Sequence, residues 1–309
     1  MNLGPHIIHP TLAARDWARV APIVKVVDFD GQASVDILPT IQPGAVIIWR
    51  HWLGSQPAPQ EVWIDPGQTA SQIVQSLRGF RSPNLYVETT NEEKQDLGQG
   101  LEQNVEFHKT LTYLLHVFGV KVAGFGFSTG NPVGYPNNPE HMPDSISYLA
   151  DHNWGDVDLV GFGEYWGHSG PIAPPASGWN TLRYRKVHEW TKGAHPAFYI
   201  RECGRDRIGN PPEDTSPGAG WKLQGISTEQ YYQELKLLEL EWEKDEYLLG
   251  GTPFTSGEDS KWNNYGIDQL PMKQYFFGLP PRTSSTSILV PPPAGFPPDG
   301  GGPRNMQQL

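Results

Sequence analysis

The sequence predicts an α/β chain that folds as a (β/α)8 TIM barrel and ends in a tail rich in proline and glycine. Short apolar runs rich in Val, Ile and Phe alternate with longer segments of helical period, which is the pattern of βα units around a parallel sheet. Eight such runs fit into 309 residues, an ordinary length for one barrel. The first run leads into His9-Pro10-Thr11 and not into a glycine-rich phosphate loop, which argues against a doubly wound sheet.

Each predicted strand is a short apolar segment bounded by turn residues or by a polar loop. The carboxyl ends of all strands in such a barrel meet at one rim, where catalytic groups sit. The long loops rich in Gly and Pro, 128–139 and 205–225, follow predicted strands and lie on this rim. In chain order the strands are Pro5–His9, Ile23–Phe29, Ala45–His51, Leu85–Asn91, Val120–Phe127, Leu159–Tyr165, Ala197–Glu202 and Leu248–Phe254.

Four segments between the strands carry apolar residues near the 3.6-residue period of a helix. The last of them is preceded by Ser227, which predicts an N-cap. The segments after strands two, five and eight have a weaker pattern and predict short or irregular helices. The four clearer helices run from Thr11 or Ala13 to Val20, and over Thr69–Phe80, Gly100–Phe118 and Thr228–Lys244.

The composition changes near residue 280, which divides the chain into a barrel domain, 1–279, and a tail, 280–309. Pro291-Pro292-Pro293 and Gly300-Gly301-Gly302-Pro303 are incompatible with a helix or a central strand. This composition predicts that the tail is a linker or a disordered segment, and we expect it to connect to another domain or subunit.

Charge and composition narrow the class of ligand. A net charge of −11 argues against nucleic acid, because no basic stripe is present to displace phosphate counterions. The 11 Trp, 12 Tyr and 12 Phe suit a neutral polyhydroxyl ligand, so a carbohydrate is the expected partner. Cys203 is the only cysteine, which excludes an intramolecular disulfide, and no cofactor is expected.

The sequence contains no run of 18 apolar residues, so no membrane span is predicted. The N-terminus, Met-Asn-Leu-Gly-Pro-His, lacks a basic segment followed by an apolar one, so no signal peptide is predicted. Localisation stays open between the cytoplasm and export as a domain of a larger protein.

Two predicted strands deliver a glutamate to their carboxyl ends. Glu92 follows Asn91 at the end of strand four, and Glu202 ends strand seven. Two carboxyl groups about 5–5.5 Å apart cleave a glycosidic bond with retention, one as proton donor and one as nucleophile. Strands four and seven of one barrel deliver their glutamates to the same mouth, so Glu92 and Glu202 are the catalytic candidates.

These residues resemble those of the large clan of retaining (β/α)8 glycosidases, which place an Asn-Glu acid/base on strand four and a Glu nucleophile on strand seven. The similarity covers roughly residues 5–277 as an order of strands and strand-end residues. The strand-seven pattern appears as Ile200-Arg201-Glu202-Cys203-Gly204. The segment 179–187, Trp-Asn-Thr-Leu-Arg-Tyr-Arg-Lys-Val, also resembles bacterial hydrolase-like barrels of this clan.

The resemblance implies roles for further residues. Asn91 would hydrogen-bond the sugar 2-hydroxyl, and Arg50 near the end of strand three would hydrogen-bond the nucleophile. Tyr165 at the end of strand six would direct its phenol to the nucleophile, and Trp262 after strand eight would stack on a sugar. Trp166, beside Tyr165, is a further candidate for substrate binding at the rim.

Other polar residues near the strand ends have structural interpretations. Glu88 shares the strand parity of Glu92 and points to the barrel axis, where Lys25 or another buried donor is its expected partner. Arg201 has the opposite parity to Glu202 and is expected to face the helices. Glu164 is a lesser candidate for substrate contact.

A metal site is not predicted. His9, His51 and His168 lie near strand ends with Asp28, but strand one lacks the His-x-His of barrel amidohydrolases.

The favoured function is a retaining glycoside hydrolase that cleaves a β-linked glycoside or polysaccharide by double displacement. Glu93 stands where the clan usually has Pro, and Gly163 where it often has His. These differences keep a second hypothesis open, a non-catalytic carbohydrate-binding or structural module of a surface assembly. A third hypothesis is a peptidoglycan-cleaving domain of a lysin.

Overall fold

The structure is a computed structural model. It describes residues 3–29, 31–51, 65–89, 99–132, 141–167, 170–173, 179–206, 220–257, 262–268 and 270. The predicted tail, 280–309, lies outside these residues. No helix in the described ranges is long and apolar enough to cross a membrane.

The predicted (β/α)8 barrel is confirmed. Eight parallel strands form a closed barrel in chain order, with the last strand paired to the first. The strands are β1 (His6–Ile7), β2 (Ile23–Asp28), β3 (Val46–His51), β4 (Leu85–Glu88), β5 (Lys121–Phe127), β6 (Leu159–Trp166), β7 (Ala197–Arg205) and β8 (Leu248–Ser256).

An α-helix follows each of the first seven strands. The long predicted helices are present as α3, α4 and α7, and the Ser227 hydroxyl caps α7 by accepting a hydrogen bond from the Gln230 N–H. After β8 the described chain forms a short 3₁₀ turn, Asn263–Tyr265. The helices are α1 (Leu12–Ala18), α2 (Gln32–Asp36), α3 (Pro66–Ser76), α4 (Gln99–Val117), α5 (Asp144–Asp151), α6 (Arg183–Thr191) and α7 (Thr228–Trp242).

Helix α6 was not among the helices that the periodicity predicts. Its sequence, Arg-Tyr-Arg-Lys-Val-His-Glu-Trp-Thr, is so polar that only a narrow apolar stripe remains. Tyr184 and Val187 provide this stripe and are fully buried against the barrel. Tertiary packing, more than local pattern, therefore stabilises this helix.

Apolar residues fill the lower part of the barrel, and charged residues fill the layer above them. Ile23, Ile48, Ala123 and Leu159 form the lower interior cluster, while the larger apolar cluster lies between strands and helices. Lys25 and Arg50 lie two residues beyond Ile23 and Ile48 on the same strand faces, so both point inward. The charged layer lies on the side of the barrel where the strands end.

Glycines on two strands provide the space for this charged layer. A Cβ at Gly126 of β5 would lie 2.5 Å from Arg201 Nη1, and one at Gly161 of β6 would lie 2.9 Å from the Tyr199 ring. Any larger residue at these positions would displace Arg201 or Tyr199. The two glycines are therefore required for large polar side chains inside the barrel.

A β-bulge in β7 changes the direction of its side chains. Ile200 pairs with Phe162 of β6, but the next β6 residue, Gly163, pairs with Glu202. Against β8, the three-residue step from Ile200 to Cys203 matches the two-residue step from Gly251 to Pro253. The extra residue interrupts the alternation, so Arg201 and Glu202 both reach the barrel interior.

Candidate active site

Glu202 lies near the carboxyl end of β7 with 17% of its side chain exposed. Two cations approach one oxygen of its carboxylate: Lys25 Nζ lies 3.4 Å and Arg201 Nη2 3.5 Å from Oε1. The Tyr165 hydroxyl donates to the other oxygen, Oε2, at 3.3 Å. A partly exposed carboxylate is thus held on both oxygens at the barrel mouth.

Glu88 lies deeper, at the end of β4, and is almost fully buried. Its carboxylate accepts hydrogen bonds from Lys25 Nζ at 3.0 Å, Arg201 Nη2 at 3.0 Å and Tyr199 Oη at 2.7 Å. Arg50 Nε lies 3.8 Å from the same carboxylate. The predicted pairing of Glu88 with Lys25 is confirmed, and both Lys25 and Arg201 bridge the two glutamates.

These cations keep both carboxyl groups ionised. Burial alone would raise the pKa of Glu202, but Lys25 and then Arg201 hold that pKa well below its usual range. Burial would also raise the pKa of Glu88, but Arg201, Lys25 and Arg50 lower it to about 2. Burial lowers the pKa of Lys25 to about 8 against the opposing effect of Glu88, so the ammonium remains charged at neutral pH.

His6 on β1 is a member of this site that sequence reasoning missed. It pairs in register with Lys25, packs edge-on against Phe254 at 5.1 Å, and is buried. Its Nδ1 makes no hydrogen bond among the described residues. Burial and the neighbouring Lys25 lower the pKa of His6 well below its usual value, so the imidazole is neutral. The sequence feature that could have identified His6 is its place on strand one, next to the strand that carries Lys25.

Three residues that the resemblance singled out lie at or near this cluster. Tyr165 hydrogen-bonds Glu202 as described above, and burial followed by the Glu202 charge raises the pKa of its phenol well above the usual value. Arg50 contributes charge to the cluster through its ion pair with Glu88. Trp262 is half-buried beside β8, where its ring meets Phe254 edge-on at 5.2 Å. Sugar contact by these residues stays a prediction.

The expectation that Trp166 binds substrate at the rim is wrong. Trp166 is completely buried, and its indole N–H donates to Glu234 Oε2 of α7 at 2.8 Å. Because Trp166 follows Tyr165 directly, its side chain points to the opposite side of β6, toward the helices. Strand parity alone would have assigned it to helix packing.

Two further expectations concerned Arg201, from its strand parity, and Glu164, as a carboxylate near a strand end. The expectation that Arg201 faces the helices is wrong, because the bulge in β7 leaves it inside the barrel with Glu88 and Glu202. Glu164 is fully buried and accepts hydrogen bonds from the Leu182 N–H at 2.6 Å and Trp242 Nε1 at 3.2 Å. It therefore packs between β6 and the helices, away from the barrel mouth, which argues against substrate contact.

Two predicted site residues, Asn91 and Glu92, lie outside the described residues. Strand β4 ends at Glu88, three residues before Asn91. Their assigned roles therefore stay predictions, as does the separation between Glu92 and Glu202.

Gly163, where the clan often has His, pairs in register with Glu202. A Cβ at this position would lie 3.3 Å from both the Phe127 carbonyl oxygen and the Thr129 nitrogen. A side chain at this position would therefore be in tight contact with the chain that leaves β5.

In the ranges that the structure describes, no group of three or more His, Cys, Asp and Glu side chains is arranged to hold a metal ion. Cys203 is buried next to Glu202, and burial raises the pKa of its thiol well above the usual value. Among the described residues, the groups at the barrel mouth that could take part in a reaction are therefore the partly exposed carboxylate of Glu202, the two cations beside it and the Tyr165 phenol.

Fold and site together define a (β/α)8 barrel with an ionised carboxylate at its mouth, and solved structures share this fold. A glucosidase from Croceicoccus marinus is similar at a TM-score of 0.54 and 12% identity, over 87% of this chain and 62% of that one. A β-D-glucuronidase from Dictyoglomus thermophilum is similar at 0.50 and 13% identity, over 87% of this chain and 46% of that one.

A GH128 (subgroup II) endo-β-1,3-glucanase from Pseudomonas viridiflava has a TM-score of 0.49 and 14% identity, over 90% of this chain and 98% of that one. No protein-family model matches the chain, and no curated protein matches it in sequence. At these identities the similarities to the glucosidase and the β-D-glucuronidase show the fold alone.

Replacing Lys25 tests the charged cluster. Lys25→Met removes the ammonium shared by Glu88 and Glu202, and we expect the free energy of unfolding to fall by about 3–5 kcal/mol, as when one partner of a buried ion pair is removed. In the double variant Lys25→Met/Glu88→Gln, part of this loss should be recovered, because one uncompensated charge is also gone. Urea denaturation measures both.

The control is Lys109→Met, which removes a lysine from a surface pair with Glu106 and should cost no more than about 0.5 kcal/mol. A Lys25→Met variant as stable as this control would contradict the role given to Lys25.

Glu164 predicts a pH-dependent stability. Burial raises its pKa to about 8, although the Leu182 N–H and Trp242 act in the opposite direction. Between the unfolded pKa, about 4.3, and 8 the native state holds a proton that the unfolded chain has lost, so stability decreases as pH rises. Glu164→Gln lacks this titration. Its stability relative to wild type should therefore increase with pH, by up to about 1.4 kcal/mol per pH unit.

Urea denaturation from pH 5 to pH 9 measures this difference, with the exposed Glu106→Gln as the control. Parallel curves for wild type and Glu164→Gln would show that Glu164 is ionised in the native state.

Proposed function

We propose that this protein is a retaining glycoside hydrolase that acts on a β-linked glycoside or polysaccharide. Glu202 is its nucleophile and Glu92 its acid/base. The observation that carries the proposal is the state of Glu202: a partly exposed carboxylate at the barrel mouth, kept ionised by Lys25 and Arg201. Glycoside cleavage with retention requires a carboxylate in this state.

In the first step, a Glu202 oxygen attacks the anomeric carbon as the bond to the leaving oxygen breaks. Glu92 gives its proton to that oxygen, and a glycosyl ester forms on Glu202. In the second step, Glu92 takes a proton from water, and the resulting hydroxyl attacks the anomeric carbon. The ester bond then breaks and returns Glu202 to its carboxylate form.

The contacts of Glu202 suit both steps. The carboxylate is ionised before attack without the help of a base. When the ester breaks, negative charge returns to an oxygen already faced by Lys25 and Arg201, or to the oxygen that accepts from Tyr165. The same donors therefore favour departure of Glu202 in the second step.

Glu88 is not suited to this role. It is only 2% exposed, and Lys25, Arg201 and Tyr199 occupy its oxygens. Of the two interior carboxylates that the structure describes, Glu202 is the one with solvent access. Glu88 instead fixes Lys25 and Arg201 in positions where they also contact Glu202.

The assignment of Glu92 rests on its sequence position and on the clan resemblance. In the sequence it follows Glu88, the last residue of β4, by four positions, and Glu88 shares Lys25 with Glu202. Asn91 would bond the sugar 2-hydroxyl, and Arg50 would support the nucleophile by its charge. Trp262, half-buried beside β8, would stack on a sugar ring.

The first test is hydrolysis of activated aryl β-glycosides, including the glucoside and glucuronide suggested by the neighbouring structures. Glu202→Gln should abolish turnover, because an amide is a poor nucleophile. Glu92→Ala should lower kcat/KM by about 10²–10⁴-fold. Added azide should restore product formation in Glu92→Ala by attacking the glycosyl ester without base assistance. Chromatography of the products measures both effects.

Glu164→Gln, at a buried carboxyl group outside the barrel, is the matched control and should keep wild-type turnover. Full activity of Glu202→Gln would refute the assignment of the nucleophile. Sugar binding by the wild-type protein without hydrolysis of any substrate would instead support a non-catalytic binding module. Loss of turbidity of bacterial cell walls, without action on glucans, would support the lysin alternative.

A further inference from the structure

An aromatic side chain on the loop between β6 and α6 has no part in the site described above. Trp179 precedes α6 and is 44% exposed, a large fraction for an indole. One face of its ring is covered by Arg183, whose guanidinium carbon lies 5.1 Å from the ring centre. The exposed fraction leaves much of the remaining aromatic surface open to a ligand.

Arg183, which lies against one face of the Trp179 ring, is itself held in place by other contacts. The Arg183 guanidinium also lies 5.0 Å from the ring centre of Trp190 on α6, so it is held between two indoles. Its Nε and Nη2 donate to the carbonyl oxygen of Pro132 at 2.8 and 2.6 Å. Arg183 itself is buried. A ring supported in this way loses little conformational freedom when a ligand stacks on it.

Fold stability does not explain why Trp179 is exposed. Trp190, packed against the core, already provides Arg183 with a cation–π contact from the side of the helix. The Pro132 carbonyl anchors the guanidinium independently. Trp179 therefore adds an open aromatic surface that neither contact requires.

Trp179 lies on the same side of the barrel as Glu202. Gly163 of β6 pairs with Glu202, and Thr129 lies against Gly163, with its nitrogen 3.3 Å from where a Cβ would be. The next residue, Gly130, lies against Trp179, whose Nε1 would be 3.4 Å from a Cβ at that glycine. A short series of contacts thus leads from the candidate nucleophile to the exposed indole.

We propose that Trp179 is the stacking platform of a second sugar-binding subsite, away from the reacting bond. Its ligand is a pyranose unit of a β-linked oligosaccharide or polysaccharide, because the flat indole matches the apolar face of such a ring. Asn180, half-buried beside it, offers an amide to the sugar hydroxyls. The inference rests on the proposed function and makes the substrate a glycan chain.

The test uses the Glu202→Gln enzyme, so that ligands are bound without turnover. Calorimetry measures dissociation constants for hexasaccharides of β-1,3-glucose, β-1,4-glucose, β-1,4-xylose and β-1,4-mannose, and for an aryl monosaccharide of each sugar. Adding Trp179→Ala should weaken binding of the hexasaccharide that binds best by about tenfold. It should leave the aryl monosaccharide unchanged. Trp179→Phe should retain most of the affinity.

The control is Tyr113→Ala, which removes an aromatic ring that is 72% exposed on the outer helix α4 and should change neither affinity. Unchanged hexasaccharide binding in Trp179→Ala would overturn the assignment of Trp179 as a stacking platform and would leave the proposed function untouched. An equal loss for hexasaccharide and aryl monosaccharide would also overturn it, since the effect would then be on the reacting site. If no probe binds Glu202→Gln and wild type hydrolyses none, the proposed function fails together with the platform.

Discussion

The barrel interior depends on Lys25, whose ammonium group is shared by two carboxylates. Its Nζ lies 3.0 Å from Glu88 and 3.4 Å from Glu202, and the side chain is fully buried. Burying any one of these charges alone would be prohibitive, so the groups are stable only as a set. Among the described residues of this layer, the cations Lys25, Arg50 and Arg201 face the carboxylates Glu88 and Glu202.

The charges differ in function because they differ in depth. Glu88 is buried among its donors and anchors the cations, whereas Glu202 reaches solvent and can meet a ligand. The three cations outnumber the two carboxylates, and this excess of positive charge stabilises the ionised form of Glu202. A buried ion cluster, which adds little net stability by itself, here fixes the protonation state of one exposed group.

Much of the fold followed from the sequence, because apolar runs and helical periods are local patterns. All eight strands were predicted, and strand parity correctly paired Glu88 with Lys25. Strand parity also predicts that Trp166 points toward the helices, as the structure shows, so its position near the end of β6 does not make it a rim residue. The inward direction of Arg201 was not predictable, because a bulge depends on how β7 pairs with both neighbouring strands. Helix α6 was not predicted because tertiary packing, and not a periodic apolar pattern, stabilises it.

The most direct test of this account is the protonation state of Glu202. Carbon-13 NMR of the glutamate side-chain carboxyl groups, with Glu202→Gln to assign the signal, reports the titration of this residue without any substrate. The account predicts that the pKa of Glu202 lies well below the ordinary pKa of a glutamate, because Lys25 and Arg201 stabilise its charge. A carboxyl that titrates at its ordinary pKa or higher would show that the cluster does not control Glu202, and the assignment of a nucleophile would lose its physical basis.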